Sequence, residues 1–220
     1  MTDGIRMRAD ARRNREQIIA AARTLFAEVG PDVPMEEIAR RAGCGIGTLY
    51  RRFPDRASLI HAVGLDNLER IRAAARAAVA EESDPWQALR RVVRLSLDLR
   101  LSQRLSVSAE EAPDSFHRDP AASAARREIL DLLDQLVLAA QRQGSLRRDI
   151  GAGDVLAMAI MTIRPLPGFD EAHRDLLTER CLGLVLDALA TGGGEPLPGR
   201  PLGLADVFPF AADEVTGSPG

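Results

Sequence analysis

The tightest constraint on this chain is the stretch Met35-Glu-Glu-Ile-Ala-Arg-Arg-Ala-Gly-Cys-Gly-Ile-Gly-Thr-Leu-Tyr-Arg-Arg-Phe53. Ile38, Ala39 and Ala42 recur at helical spacing and mark a first short helix. Gly43 follows, the residue type that enters a left-handed turn without a Cβ penalty. Leu49 and Phe53 lie four positions apart, so they share the buried face of a second helix. Gly45, Ile46, Gly47, Thr48, Tyr50, Arg51 and Arg52 are left for the other side. Two glycines, a hydroxyl, a phenol and two guanidinium groups make a surface that can lie close against a phosphate backbone. Two short helices about a glycine turn, the second with such a face, are the build of a helix-turn-helix, whose second helix enters the DNA major groove.

The run Glu-Glu-Ile-Ala-Arg-Arg-Ala-Gly (36–43), followed by Gly-Ile-Gly-Thr-Leu-Tyr-Arg-Arg-Phe-Pro (45–54), resembles the TetR family of transcriptional regulators, with a closer likeness to its SbtR-like subset. The likeness covers about the first quarter of the chain. The remainder shows only the family's general pattern of amphipathic helices. The resemblance implies an all-α fold: an N-terminal three-helix helix-turn-helix DNA-binding domain and a C-terminal helical ligand-binding and dimerisation domain. It also implies that Gly45, Ile46, Gly47 and Tyr50 approach base edges, while Thr48, Arg51, Arg52 and Arg56 approach phosphates. Three departures matter. Where the family offers a hydroxyl at the start of the first motif helix, this chain has Val33-Pro34-Met35, so that phosphate contact is not carried over. Ile46 has no hydrogen-bonding group and can read only apolar features such as a thymine methyl. That shifts the reading toward Tyr50, backbone approach at the glycines and DNA shape. Cys44 stands where the family prefers Val, and reads as a small buried apolar residue instead of a redox switch.

Composition narrows the alternatives. The net charge of −3 argues against a general nucleic-acid binder, but it hides an asymmetry. Residues 1–56 hold 11 Arg against 8 acidic residues, a net of +3, while 57–220 hold 18 Arg against 24 acidic residues, a net of −6. A basic head on an acidic body fits contact with DNA at one end. Hydrophobic residues, at 45%, suffice for a core of Leu, Val, Ile and Ala. The chain has no apolar run long enough to span a bilayer and no basic-then-apolar secretion layout. Cys44 and Cys181 lie in separate regions and form no disulfide framework. The expectation is a cytoplasmic protein with reduced thiols, no cofactor and no metal.

In chain order, residues 1–11 read as a flexible basic arm and 12–56 as the DNA-binding domain. Within the Arg6, Arg8, Arg12, Arg13 and Arg15 cluster, Arg13 and Arg15 are the expected phosphate contacts. Gly30 stops the first helix. Asp55 caps a long helix that continues to about residue 82. Residues 57–190 read as the helical ligand-binding and dimerisation domain. Asp84-Pro85-Trp86-Gln87 opens a helix with a cap and a first-turn proline. Helices about 121–143, 152–163 and 171–190 follow. Residues 109–120 carry Glu110, Glu111, Asp114, His117 and Asp119, a spacing that matches no defined metal ligand set. From residue 191 the chain turns Gly/Pro-rich and reads as a disordered tail.

The last two helices are apolar around too much of their surface for a lone monomer edge. In the family such a pair packs against its copy, which makes Val155, Met158, Ala159, Leu182, Gly183, Val185, Leu186 and Leu189 the candidate dimer interface. The family also encloses a small-molecule pocket in this domain, for which Trp86, Leu97, Leu101, Phe116, Met158, Met161 and Arg164 are candidates; each also fits plain core or surface. The resulting expectation is a homodimeric, sequence-specific DNA-binding repressor, released from a two-fold symmetric operator on double-stranded DNA by a small-molecule effector. An alternative is a helix-turn-helix regulator without such a ligand, controlled by abundance or a protein partner. An enzyme is disfavoured, since His61, His117, His173 and the two cysteines assemble no nucleophile–base pair. A module holding a protein instead of DNA is disfavoured by the Arg-rich face.

Overall fold

The computed structural model describes residues 2–30, 32–95, 116, 118–163, 171–192 and 195–207. Among these residues it contains nine helices and no strand. They are α1 (Thr2–Glu28), α2 (Met35–Arg41), α3 (Ile46–Arg52), α4 (Arg56–Glu81), α5 (Pro85–Leu95), α6 (Pro120–Gln143), α7 (Ala152–Ile163), α8 (Glu171–Leu189) and α9 (Leu204–Val207). The fold is all-α, with an N-terminal helix-turn-helix domain and a C-terminal helical domain. The described residues sort into two compact units: residues up to 69 with those from 116 to 123, and residues 70–95 with those from 124 onward.

In the first unit, Ile18, Ala22, Leu25 and Phe26 of α1 form one wall of a core. Val33, Met35, Ile38, Ala39, Leu49, Phe53, Leu59, Ala62 and Val63 complete it. Helix α1 begins at Thr2 and so includes residues 2–11, which corrects the expectation of an arm outside the helix. Nothing between Thr2 and Glu28 breaks a helix except Gly4, and Arg12–Glu16 and Asp10–Arg13 pair across one turn. Gly30 ends the helix region at φ +115°, a conformation that an L side chain resists. At the start of α4, Asp55 Oδ1 accepts the Ser58 N–H at 2.7 Å, as a capping residue does. Arg23 of α1 holds Asp66 of α4 at 2.7 Å.

His61 of α4 lies 2.9 Å from Asp119 Oδ2, edge-on to the Phe116 ring. The other oxygen of Asp119 accepts the Ala121 and Ala122 N–H groups and caps α6. The bond with His61, then those backbone N–H groups, hold the Asp119 carboxyl below the usual carboxylate range.

The second unit has its own core. Trp86, Leu89 and Val93 of α5 meet Leu133, Leu136, Val137 and Ala140 of α6, with Val155 and Ala159 of α7 and Leu182, Leu186 and Leu189 of α8. Asp84 Oδ1 accepts the Trp86 N–H at 2.9 Å, so the proline-led start of α5 carries a side-chain cap. Gly144, at φ +84°, stops α6. The chain then turns through Leu146, which bridges to Ala190 at the end of α8.

The expectation of a disordered tail from residue 191 is corrected for residues 195–207. Leu197 N–H donates to Asp149 and Leu202 N–H to Asp154, both at 2.9 Å or less. Leu204 packs against the core of the second unit. Gly/Pro-rich composition removes the apolar area that would fold such a segment alone, but here the partners lie 48 residues away in the sequence.

Candidate nucleic-acid interface

Helix α2 begins after Pro34, with Glu36 and Glu37 in its first turn and Arg40 and Arg41 in its last. That order suits the helix dipole at both ends. Arg41 pairs with Glu28 of α1 at 3.1 Å. The turn behind α2 closes through Gly43 N–H to Arg40 O and Cys44 N–H to Ala39 O. Gly43 sits at φ +68°, the left-handed conformation expected of it. Cys44 is half-buried against the core, and that burial pushes its thiol pKa up, away from reactivity.

Gly45 then leads into α3 with an extended backbone, and its carbonyl accepts the Thr48 and Leu49 N–H groups. Leu49 is fully buried and Phe53 nearly so, as the i, i+4 spacing requires. They seat α3 on the core. The opposite side is open: Ile46 and Tyr50 are 38% and 44% exposed, and Gly45, Gly47, Arg51 and Arg52 are exposed as well. Thr48 is half-buried, and Arg51 reaches its hydroxyl at 3.5 Å. A Cβ added to Gly45 or Gly47 would meet nothing within 4 Å. Neither residue has a positive φ. Among the described residues no contact therefore requires glycine at either position, although within α3 Gly47 costs up to about 1 kcal/mol relative to Ala.

The remaining candidates separate. Arg15 holds its guanidinium 5.4 Å from the centre of the Phe53 ring, a cation–π contact that stations a charge beside the end of α3. Arg13 is exposed on α1, loosely paired with Asp10. Arg56 donates to the Val33 carbonyl at 2.9 Å. A cation in the first turn of α4 opposes the helix dipole, and this bond to the lead-in of α2 supplies a structural reason for it. The Arg23–Asp66 tie that braces α1 against α4 escaped the sequence reading, because nothing local marks a pair 43 residues apart.

Residues 18–63 match the family of bacterial regulatory proteins described as the tetR family, and residues 84–191 match the C-terminal domain of SbtR-like transcriptional regulators. A solved TetR transcription regulatory protein from Mycobacterium vanbaalenii is 34% identical, covering 84% of this chain and 99% of that one at a TM-score of 0.59. The chain belongs to the TetR family. A TetR transcriptional regulator from Streptomyces coelicolor is 32% identical over 81% of this chain and 99% of its own, at a TM-score of 0.62. An HTH-type transcriptional regulator of Staphylococcus aureus (strain USA300) is 45% identical over 58 residues. That match takes in 26% of this chain and spans about a third, 31%, of the curated relative. The protein is thus a TetR-family transcriptional regulator with a helix-turn-helix DNA-binding domain, a family of transcription factors and not of enzymes.

In this TetR chain four of the expected pocket residues lie among the described residues. Trp86 is a core residue of the second unit, with the Arg90 guanidinium 5.9 Å from its ring centre. Phe116 belongs to the first unit, against His61 and Gly64. Met158 and Met161 are exposed on α7. Leu97, Leu101, Arg164 and His117 lie outside the described residues. Trp86 repeats with Leu89 and Val93 at the spacing of a core stripe, which takes it inward. An open groove of about 360 Å³ lies elsewhere in the second unit, lined by Val79, Glu82, Pro85, Ala88, Leu138 and Arg142 among others.

The expected dimer interface divides too. Val155, Ala159, Leu182, Leu186 and Leu189 are buried in the core of their own unit. Met158 remains exposed, and Gly183 and Val185 are half-exposed. On the same two helices Met161, Leu176 and Leu184 are 67%, 59% and 68% exposed, and Cys181 is exposed as well. Among the described residues no helix is long and apolar enough to cross a membrane, and no three His, Cys, Asp or Glu side chains are grouped to hold a metal ion.

Proposed function

We propose that this regulator is a cytoplasmic homodimer that binds a two-fold symmetric operator and represses transcription from it. The observation that carries the reading is the outward side of α3, where Tyr50, Arg51, Arg52 and Ile46 surround a helical glycine that the chain itself does not need. Gly45, Gly47, Ile46 and Tyr50 meet the base edges; Thr48, Arg51, Arg52, Arg13 and Arg15 meet phosphates. Arg56 acts by holding Val33, with any phosphate contact secondary. Two copies of α3 must sit about 34–36 Å apart, or a multiple of that, to enter successive turns of the major groove. The exposed residues Met158, Met161, Leu176 and Leu184 make the contact between copies, since an apolar surface on two neighbouring helices is stable in water only when covered.

Release by a small molecule fits the SbtR-like C-terminal domain. Such a ligand shifts DNA binding only as far as it prefers one conformation of the dimer over another. Footprinting on the DNA upstream of the regulator's own gene tests the reading. The expected result is a two-fold symmetric protected site that is lost with Tyr50→Ala. A purified chain that is monomeric and indifferent to duplex DNA at low ionic strength would overturn it.

A second reading is favoured by one observation: among the described residues of the second unit, the groove of about 360 Å³ is open, and Trp86 lies in the core instead of lining it. On this reading the regulator has no small-molecule ligand and responds to its own abundance or to a protein partner. A dialysable extract of the host that displaces the protein from its operator decides for the effector.

A further inference from the structure

The match to the C-terminal domain ends at residue 191, yet the chain beyond it is tied to the body at successive points. Arg147 donates to the Glu195 carbonyl at 3.1 Å, and Leu197 N–H to Asp149 Oδ2 at 2.9 Å. Asp154 Oδ2 accepts both the Leu202 N–H and the Gly151 N–H at 2.8 Å. Gly153 N–H donates to the Leu202 carbonyl at 2.9 Å. The segment also braces itself. Arg200 forks onto both oxygens of Asp206, which in turn accepts the Gly203 N–H and starts α9. Leu204 supplies the apolar contact with the core.

The body is shaped to receive this segment. A Cβ on Gly151 would stand closer than 3.0 Å to the Leu202 carbonyl oxygen, and one on Gly153 as close to the carbonyls of Leu202 and Gly203. Neither glycine has a positive φ, so no turn requires it. Gly153 lies in the first turn of α7, where Ala is the better helix former. The chain gives up helix propensity at this position and gains room for a second backbone. Two glycines and two carboxylates on one side, and a self-braced peptide on the other, are complementary parts of one contact.

The contact matters because of where it falls. Helix α7 has 12 residues, too few to hold together in water without packing partners. Its first turn carries the receptor glycine and its later turns carry the exposed Met158 and Met161. We propose that residues 195–207 are an intramolecular clasp, received by Asp149, Gly151, Gly153 and Asp154, whose seating fixes α7 so that Met158 and Met161 can meet a second copy of the chain. The second half of this statement rests on the dimer reading above.

The test uses the full-length chain and two variants, Gly153→Ala in the receptor and Arg200→Ala in the clasp's own brace. Amide hydrogen exchange at Leu197 and Leu202 reads seating, and sedimentation equilibrium reads self-association. The wild type should protect both amides. Each variant should lose that protection and raise the dimer dissociation constant several-fold. If Gly153→Ala keeps both amides protected, or makes the protein more stable as an ordinary helical Gly→Ala change would, the clasp does not exist. Release of the clasp with unaltered self-association overturns its proposed role. A wild-type chain that is monomeric at every concentration sinks the dimer reading and that role together, while the exchange data still decide whether the clasp is seated.

Discussion

A Cβ at Gly47 would meet only open space, and the residue's φ does not demand glycine. Gly47→Ala should therefore stabilise the free protein, by up to about 1 kcal/mol from helix propensity. If α3 approaches DNA as closely as proposed, the same methyl group weakens operator binding. Thermal unfolding and a DNA titration on one sample separate the effects. A variant that is more stable and binds with unchanged affinity removes the close approach. Gly43 behaves in the opposite way: at φ +68° an Ala pays about 1–2 kcal/mol for the left-handed conformation, and DNA binding falls only because the motif unfolds. Tyr50→Ala is the cleanest functional probe. Tyr50 is 44% exposed, so stability should move by no more than about 0.5 kcal/mol. The loss in DNA affinity should be about 1–3 kcal/mol, the worth of a base contact. Leu49→Ala, by contrast, opens a cavity under α3 and costs about 2–5 kcal/mol of stability.

At the scale of elements, much was legible in the sequence because it is local. Gly43, Gly30 and Gly144 mark their turns by residue type, and Asp55 and Asp84 mark helix starts by capping. Asp55→Ala should cost about 1 kcal/mol, measured as a shift in the denaturant midpoint. The outward side of α3 was legible for the same reason, since Leu49 and Phe53 fix which side is buried. What was not legible depends on distant partners. Periodicity cannot say whether an apolar helix faces its own core or another copy, so Val155 and Leu186 were indistinguishable from Met161 and Leu184. Arg56 gave no sign of Val33, 23 residues away. The clasp was hidden because its composition is that of a disordered tail and its receptor lies 48 residues earlier.

The charges at that clasp give a prediction with a definite sign. The Arg200 guanidinium, then the Gly203 N–H, lower the Asp206 pKa from 3.8 to about 2, and Arg147, then the Leu197 N–H, hold Asp149 far below its ordinary value. A carboxylate depressed on folding stabilises fully above its unfolded pKa, and that support is lost as pH falls through the folded value. Acid should therefore release the clasp from about pH 4 downward, seen as falling protection factors at Leu197 and Leu202. Protection that is independent of pH over that range would detach these carboxylates from the clasp.

For the whole molecule, the decisive quantity is charge: the first 56 residues are net positive on a chain whose total is −3. Binding that draws on a few arginines instead of a general positive field should weaken steeply with salt, because each neutralised phosphate releases condensed counterions, with a slope of about −0.9 per contact in log K against log salt. Removing one phosphate contact flattens that slope by about 1. Arg51 is exposed and, among the described residues, reaches the Thr48 hydroxyl, so Arg51→Ala should leave folding intact while deleting its phosphate contact. In a symmetric dimer with both copies of α3 on the operator, the deletion occurs twice, and the slope should flatten by about 2. A change near 1 would mean that one head is engaged per complex, and no change would take Arg51 off the phosphates. Measured beside sedimentation of the same variant, the salt slope counts heads on DNA independently of how many chains associate in its absence.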